Sequence, residues 1–260
     1  TTIDVSNNVN LQHLHVARNQ LTSLNVAANT QLTYLHCHSN AISSLNFAGN
    51  TLLQDLDCSN NNATSLTLPT TAPDLQTLVI GTNNLGAAVD LSGYPTLNVA
   101  RVNDAGITSL LIPSSVTLIE CNNNSLSSLD VSGANGLTTL NCSSNGITSL
   151  NLSANTALSF VDCSTNQLTD LNIQNGANAI LANFNATNNP ALTCILVSDV
   201  SFMNTTFSGG KDAGATYSTI CPIPCTVNIP DPAFKAALVA NNAIDTNFDD
   251  EIQCSEAIAF

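Results

Sequence analysis

The chain has no tryptophan, one methionine and only four basic residues, Arg18, Arg101, Lys211 and Lys235, in 260 positions. Against 18 acidic residues this leaves a formal net charge of -14. Such a chain carries no basic patch to release phosphate counterions, which argues against nucleic acid and anionic membrane as partners. No run of about 18 apolar residues occurs, so no membrane span is expected. Charged residues of both signs reach 8% while hydrophobic residues reach 43%. The exterior must then be built from Asn, Ser and Thr, a composition more typical of extracellular bacterial β proteins than of cytosolic enzymes. Enzyme motifs are missing too: there is no G-x-S-x-G, P-loop, dinucleotide fingerprint or HExxH. The carboxylates are scattered without a cleft to pair an acid with a base, and no catalytic residue is assigned.

What the chain does have is repetition. Leu32, Leu35, Cys37, Asn40, Ile42, Leu45 and Phe47 hold positions one, four, six, nine, eleven, fourteen and sixteen of a unit of about 21 residues. The same template fits Leu11 to Val26 before it and the stretches that begin at Leu53, Leu75, Leu97, Val116, Leu137 and Leu158 after it. A frayed ninth copy runs through Leu181, Phe184, Ala186 and Asn189. A period of this length predicts a solenoid, in which one coil cannot bury its apolar edge alone and needs neighbours on both sides. The segment around positions four to six alternates, which predicts a short strand with Leu and Cys pointing inward. The Asn at position nine ends that strand, and its amide is expected to bond main-chain groups left by the turn, so that stacked copies form a polar ladder. The second half, as in Leu45-Asn46-Phe47, alternates again and returns the chain along the other side.

The unit LxxLxCxxNxLxxLxVxxN resembles a leucine-rich repeat, in the Cys- and Asn-rich form seen in secreted proteins of Bacteroidetes-type bacteria. The resemblance covers roughly residues 3–193 and implies a β-rich solenoid: a right-handed coil of about nine repeats with a C-terminal cap and a small helical calcium-loop segment. The expected division is 1–193 for the solenoid with its first coil incomplete, 194–221 for the cap, and 222–260 for a linker helix with an EF-hand-like loop that starts a further block.

Nine cysteines fall into two groups. Cys37, Cys58, Cys121, Cys142 and Cys163 occupy position six, where Val16, Ile80 and Val102 stand in other coils, so they read as small buried hydrophobes. Cys194, Cys221, Cys225 and Cys254 lie beyond the repeats, and four cysteines allow three pairings. Cys194 with Cys221 and Cys225 with Cys254 are the expected bridges, which places the protein in an oxidising compartment.

After the stiff Pro222-Ile223-Pro224 step, Asp231-Pro232 predicts a helix start, with Phe234, Leu238 and Val239 on one face and an end near Asn242. Asp245, Asn247, Asp249 and Glu256 then stand at positions one, three, five and twelve of an EF-hand spacing, with Glu251 at seven and Ile252 at eight, so calcium is the expected cofactor. Asp250 takes the place of the usual glycine, and the alternative is a solvated acidic connection. The stretch IPDPAFKAALVANNAIDTNFDDEIQCSEA also resembles the cap that precedes a repeat block in the same bacterial family. SEAIAF at the end and TTIDV at the start read as continuous, which gives the expectation of a tandem array whose copies meet head to tail in an open filament. A trimmed chain is the alternative.

Function in a solenoid lies on outward columns. All four histidines, His13, His15, His36 and His38, fall on two neighbouring coils of the first-strand face, beside Tyr34, Asp55 and Asp57. The candidate ligand-binding set is these seven residues with Arg101 and Phe160 from the same columns. The cluster suits contacts to a protein or polysaccharide; zinc-type metal binding and plain solvated surface are the alternatives. A row of small hydroxyls on the return side, Ser23, Ser44, Ser65, Ser109, Ser128 and Ser149, raises water or ice ordering as a minor alternative. The expected function is a non-catalytic adhesion module of a secreted or cell-surface bacterial protein, with a structural fibre unit lacking its own ligand as the rival.

Overall fold

The computed structural model describes residues 1–221 and the helix Pro232–Val239. Residues Thr1–Thr219 form one compact unit and Ile220–Phe260 a second. The first unit is a parallel β-solenoid. Nine strands of three residues each make one sheet, in the order His13–His15, Tyr34–His36, Asp55–Asp57, Thr77–Val79, Val99–Arg101, Leu118–Glu120, Thr139–Asn141, Phe160–Asp162 and Asn183–Asn185. Each strand lies parallel to and in register with the next, so that Tyr34 pairs with Asp55 and His36 with Asp57. Every strand has a buried centre between two more exposed neighbours. That alternation is the two-residue period of a strand with one buried face.

The core is the column of inward side chains. Leu35, Leu56, Leu78 and Ile119 are fully buried, as are Cys37, Cys58, Cys121, Cys142 and Cys163 at the next inward position of their coils. Each fully buried aliphatic side chain contributes about 1.5–3 kcal/mol. None of it is available to a coil standing alone, because the neighbours supply the cover. The five thiols are free and remain thiols. Burial pushes Cys37, Cys121 and Cys163 up to about 12, helped at Cys37 by the charge of Asp57 and at Cys163 by that of Asp162.

The position-nine asparagines act as cross-coil staples. Asn40 donates through Nδ2 to the carbonyls of Val16 and Cys37, both at 3.0 Å, while its Oδ1 accepts the Leu21 N–H at 2.9 Å. Asn61, Asn83, Asn124, Asn145, Asn166 and Asn189 repeat this arrangement one coil at a time. Where Ala105 replaces the asparagine, Oδ1 of Asn124 in the next coil accepts both the Ala105 and Ile107 N–H groups. The residue before each of these positions is left-handed: Arg18, Ser39, Asn60, Thr82, Asp104, Asn123, Ser144, Thr165 and Asn188 all have φ between 51° and 58°. No glycine marks that corner, although it is the conformation glycine adopts most readily.

The return side is less regular. Ser44–Asn46 pairs with Ser65–Thr67, and Ala88–Asp90 with Ser109–Leu111, as two separate ribbons. A four-stranded sheet follows, Ser149–Asn151, Asp170–Ile173, Cys194–Val197 and Thr216–Ser218. A second asparagine column serves this side, with Asn29, Asn50 and Asn155 fully buried and each donating to two carbonyls of the preceding coil.

The strand pairing continues past residue 193 into Cys194–Val197 and Thr216–Ser218, so the closing segment adds to the sheet as well as covering it. Between these strands lies the helix Val200–Thr206, capped by Asp199, whose carboxylate accepts the Phe202 N–H at 2.9 Å. Phe184 of the last coil is packed edge-on by Phe207 and Tyr217. Gly210 is needed here, because a Cβ would come within 2.7 Å of the Phe184 carbonyl oxygen. Cys194 and Cys221 are both disulfide-bonded, the state expected for them from the sequence. In the second unit the helix opens at Pro232, where the sequence placed its start. Cys225, Cys254 and the calcium-loop residues Asp245, Asn247, Asp249, Glu251 and Glu256 lie outside the described residues.

Candidate functional site

Parallel in-register pairing turns a repeat position into a straight row across the sheet. Position five gives the row His15, His36, Asp57, Val79, Arg101, and position three the row His13, Tyr34, Asp55, Thr77. Strands in one sheet stand about 4.8 Å apart, so the two rows bring imidazole, phenol and carboxylate groups together at one end of the face.

Tyr34 is the centre of this patch. Its ring lies 4.1 Å from that of His36, 5.8 Å from His13 and 6.5 Å from His15, centroid to centroid. The Tyr34 hydroxyl meets Nδ1 of His36 at 2.7 Å, and Nε2 of His36 meets Oδ1 of Asp55 at 2.9 Å. An ionised carboxylate only accepts, so Nε2 carries the proton and Nδ1 receives the Tyr34 O–H. Partial burial and the charges of Asp55 and Asp57 raise the Tyr34 pKa, which keeps the phenol protonated for that bond. Tyr34, His36, His38, Asp55 and Asp57 are half-buried, while His13 and His15 are exposed at the edge of the sheet.

His38 lies at position seven, on the same outward side as His36, with Cys37 turned inward between them. Its Nδ1 is 3.1 Å from Ser39 Oγ. Asp57 uses Oδ1 to accept both the Ser59 N–H at 3.0 Å and the Ser59 hydroxyl at 2.7 Å. This two-residue turn recurs at Asn141 with Ser143, Asp162 with Ser164 and Asn185 with Thr187. The sequence marks it as [DN]-x-[ST], a pattern that position-by-position reading passed over.

Seven of the nine candidate residues are therefore neighbours, and two are not. Arg101 is two strands beyond Asp57 and spends its guanidinium on Glu120, Nε to Oε2 at 2.8 Å. Phe160 is five strands from Asp55, roughly 24 Å at the usual spacing. On the return side the Ser44 and Ser65 hydroxyls bond each other at 2.9 Å, and the strands there form three separate sheets, not one continuous row.

No protein-family profile and no curated protein matches the chain. Solved structures do. The chain is similar to the functional domain of InlJ from Listeria monocytogenes, which includes a cysteine ladder, with 27% identity, 84% of this chain and 45% of that one covered, and a TM-score of 0.54. It is also similar to the leucine-rich-repeat ectodomain of the membrane receptor kinase GASSHO1/SCHENGEN3 from Arabidopsis thaliana, solved with Casparian strip integrity factor 2, at 18% identity, 82% and 31% coverage and a TM-score of 0.64. A plant ice-binding protein matches at 21% identity, 71% and 67% coverage and a TM-score of 0.55. The chain thus spans less than half the length of the first two of these. The last two likenesses concern the fold alone. Stacked coils, the asparagine staples and these neighbours agree, and the chain has the solenoid fold of leucine-rich-repeat proteins.

Proposed function

We propose that the chain is a non-catalytic recognition module of a secreted or cell-surface bacterial protein, and that it adheres to a protein ligand through the first-strand face. The observation that carries this is the Tyr34 patch, in which one phenol and four imidazoles converge on short strands already fixed by the coils on either side. Rings held in place before binding lose little conformational entropy when a partner arrives, which is the property of interface anchors. The receptor ectodomain solved with a protein factor supports the partner class. The disulfide-bonded Cys194 and Cys221 support an oxidising, extracellular setting. Residues 245–256 are proposed as a calcium site accompanying this module, from their ligand spacing alone.

The test is selection from a displayed random-peptide library, run beside a glycan array, on the chain and on a triple variant Tyr34→Thr, His36→Asp, His38→Ser. Other coils carry those residues at the same positions, as Thr77, Asp57 and Ser59, so the backbone is expected to tolerate all three. Peptides enriched on the chain and weakened at least about tenfold on the variant support the proposal. Binding to glycans alone moves the function to polysaccharide adhesion. Enrichment on neither surface leaves the structural role, in which the units only build a fibre.

A further inference from the structure

We propose that His36, His38 and Asp57 form a binding site for one divalent transition-metal cation with the ligand preference of zinc. Their donor atoms, one from each residue, all lie within 4.8 Å of one another. Tetrahedral ligands at about 2.1 Å from zinc stand about 3.4 Å apart, so the three donors close on a common centre by moving together at most about 1.4 Å. Side-chain rotation covers that distance, because His36 and Asp57 project from the same face of two paired strands and His38 lies two residues beyond His36 on the same side. The pairing is fixed by the fold: His36 is the register partner of Asp57, and His38 follows one outward position later.

The hydrogen bonds around the cluster leave one donor on His38 and one on Asp57, and on His36 the donor is shared with a hydroxyl that can yield it. Asp55 holds Nε2–H of His36, and a carboxylate on the far nitrogen is the outer partner that metal-bound histidines commonly have. The lone pair of His36 Nδ1 accepts the Tyr34 hydroxyl, a bond that a cation would replace. His38 uses Nδ1 toward Ser39, which leaves Nε2. Asp57 commits Oδ1 to Ser59, which leaves Oδ2. Two imidazoles with one carboxylate suit zinc and its neighbours, whereas calcium and magnesium require a shell of oxygens. His15 is the next imidazole, its ring 5.6 Å from that of His36 and 6.3 Å from that of His38. A three-residue site on an open face leaves the fourth position to water. The net charge of -14 favours a cation at any such place.

The site is tested with the metal alone, so its outcome does not depend on whether a macromolecular partner exists. The chain is stripped with chelator and titrated with zinc by calorimetry at about pH 7.5, with millimolar calcium present to saturate any site in residues 245–256. Cobalt is titrated in parallel, since its visible spectrum separates nitrogen and oxygen ligands from thiolates. Saturable uptake of one equivalent without thiolate bands is expected. It should weaken at least about tenfold in His38→Ser and in Asp57→Asn, and change less than about twofold in His13→Gln. Both ligand variants copy residues of other coils, Ser59 and Asn141, and Asn141 makes the same turn with its serine, so the metal-free melting temperature should hold. No saturable uptake, thiolate bands, or uptake by the two ligand variants as tight as that of the unaltered chain would overturn the proposal.

Discussion

Asn61 joins three segments of chain at once: Nδ2 donates to the Cys37 carbonyl at 3.1 Å and the Cys58 carbonyl at 3.0 Å, while Oδ1 accepts the Ile42 N–H at 3.0 Å. These groups are buried, and nothing else stands ready to take the place of the amide. Asn61→Ala should therefore destabilise the chain by about 3 kcal/mol, the cost of leaving several buried polar groups unpaired. Urea unfolding measures this. A loss below about 1 kcal/mol would mean that water replaces the staple.

Thr82 sits at φ 54°, where a β-branched residue is strained, and its side chain is exposed. Asn60, Asn123 and Asn188 hold the same corner elsewhere, and asparagine tolerates left-handed backbone far better. Thr82→Asn should raise stability by about 1 kcal/mol. The same change at an outward, half-buried strand position, such as Thr77, should not stabilise, and paired thermal melts of the two variants provide the comparison.

The stacked thiols make the fold alkali-sensitive. Burial raises Cys37, Cys121 and Cys163 to about 12 in the folded chain, and it raises Cys58 and Cys142 as well. Unfolded thiols ionise near pH 8.5. Between that value and about 12 the unfolded chain therefore binds fewer protons, and stability should fall as pH rises, by about 1.4 kcal/mol per unit for each thiol. It is fully present below the unfolded value. Melting temperatures taken upward from about pH 8 should decline, and Cys142→Val should lessen the slope at little cost to neutral-pH stability. A thiol reagent should leave all five unmodified until the chain unfolds.

Calcium titration tests the segment beyond the solenoid. With Asp245, Asn247, Asp249 and Glu256 as oxygen ligands, heat of binding and a melting temperature lowered by chelator are the expected results, as ligand linkage requires. Asp245→Asn together with Glu256→Gln should abolish both. A flat titration of the unaltered chain would reduce residues 245–256 to a solvated connection.

The first-strand face was legible because positions one, four, six and nine keep the same spacing in every coil. Leu35 and Cys37 alternate with His36 in the sequence as they do in space, and a constant spacing between coils made each outward position a row. Asn40 and its copies were legible for the same reason. The left-handed corner was not, because Arg18, Ser39 and Thr82 share no residue type that signals positive φ. The second asparagine closes the unit LxxLxCxxNxLxxLxVxxN, yet no role for it is evident in the sequence, since among the coils it is fully buried only at Asn29, Asn50 and Asn155. The helix Val200–Thr206 falls within the segment 194–221 expected as the cap; Asp199 is its cap signal, yet seven residues around a single buried Met203 give no helical period. At the site, the rows were visible and the convergence of His38 with Asp57 was not, because that depends on which side chains already have partners. Arg101 and Phe160 were grouped with the patch by column, and the strand order separates them from it.

The uniform corner also limits how such a chain changes in evolution. Adding one residue between Ser39 and Asn40 would shift Asn40 out of its corner and break its staple to Val16 and Cys37. Adding a whole coil would disturb almost nothing, since each turn touches only the turns beside it. Length is consequently free in steps of one strand spacing, about 4.8 Å. The outward face then behaves like movable type: a row of side chains can be duplicated, deleted or shifted along the axis as a block while the frame that holds it stays the same.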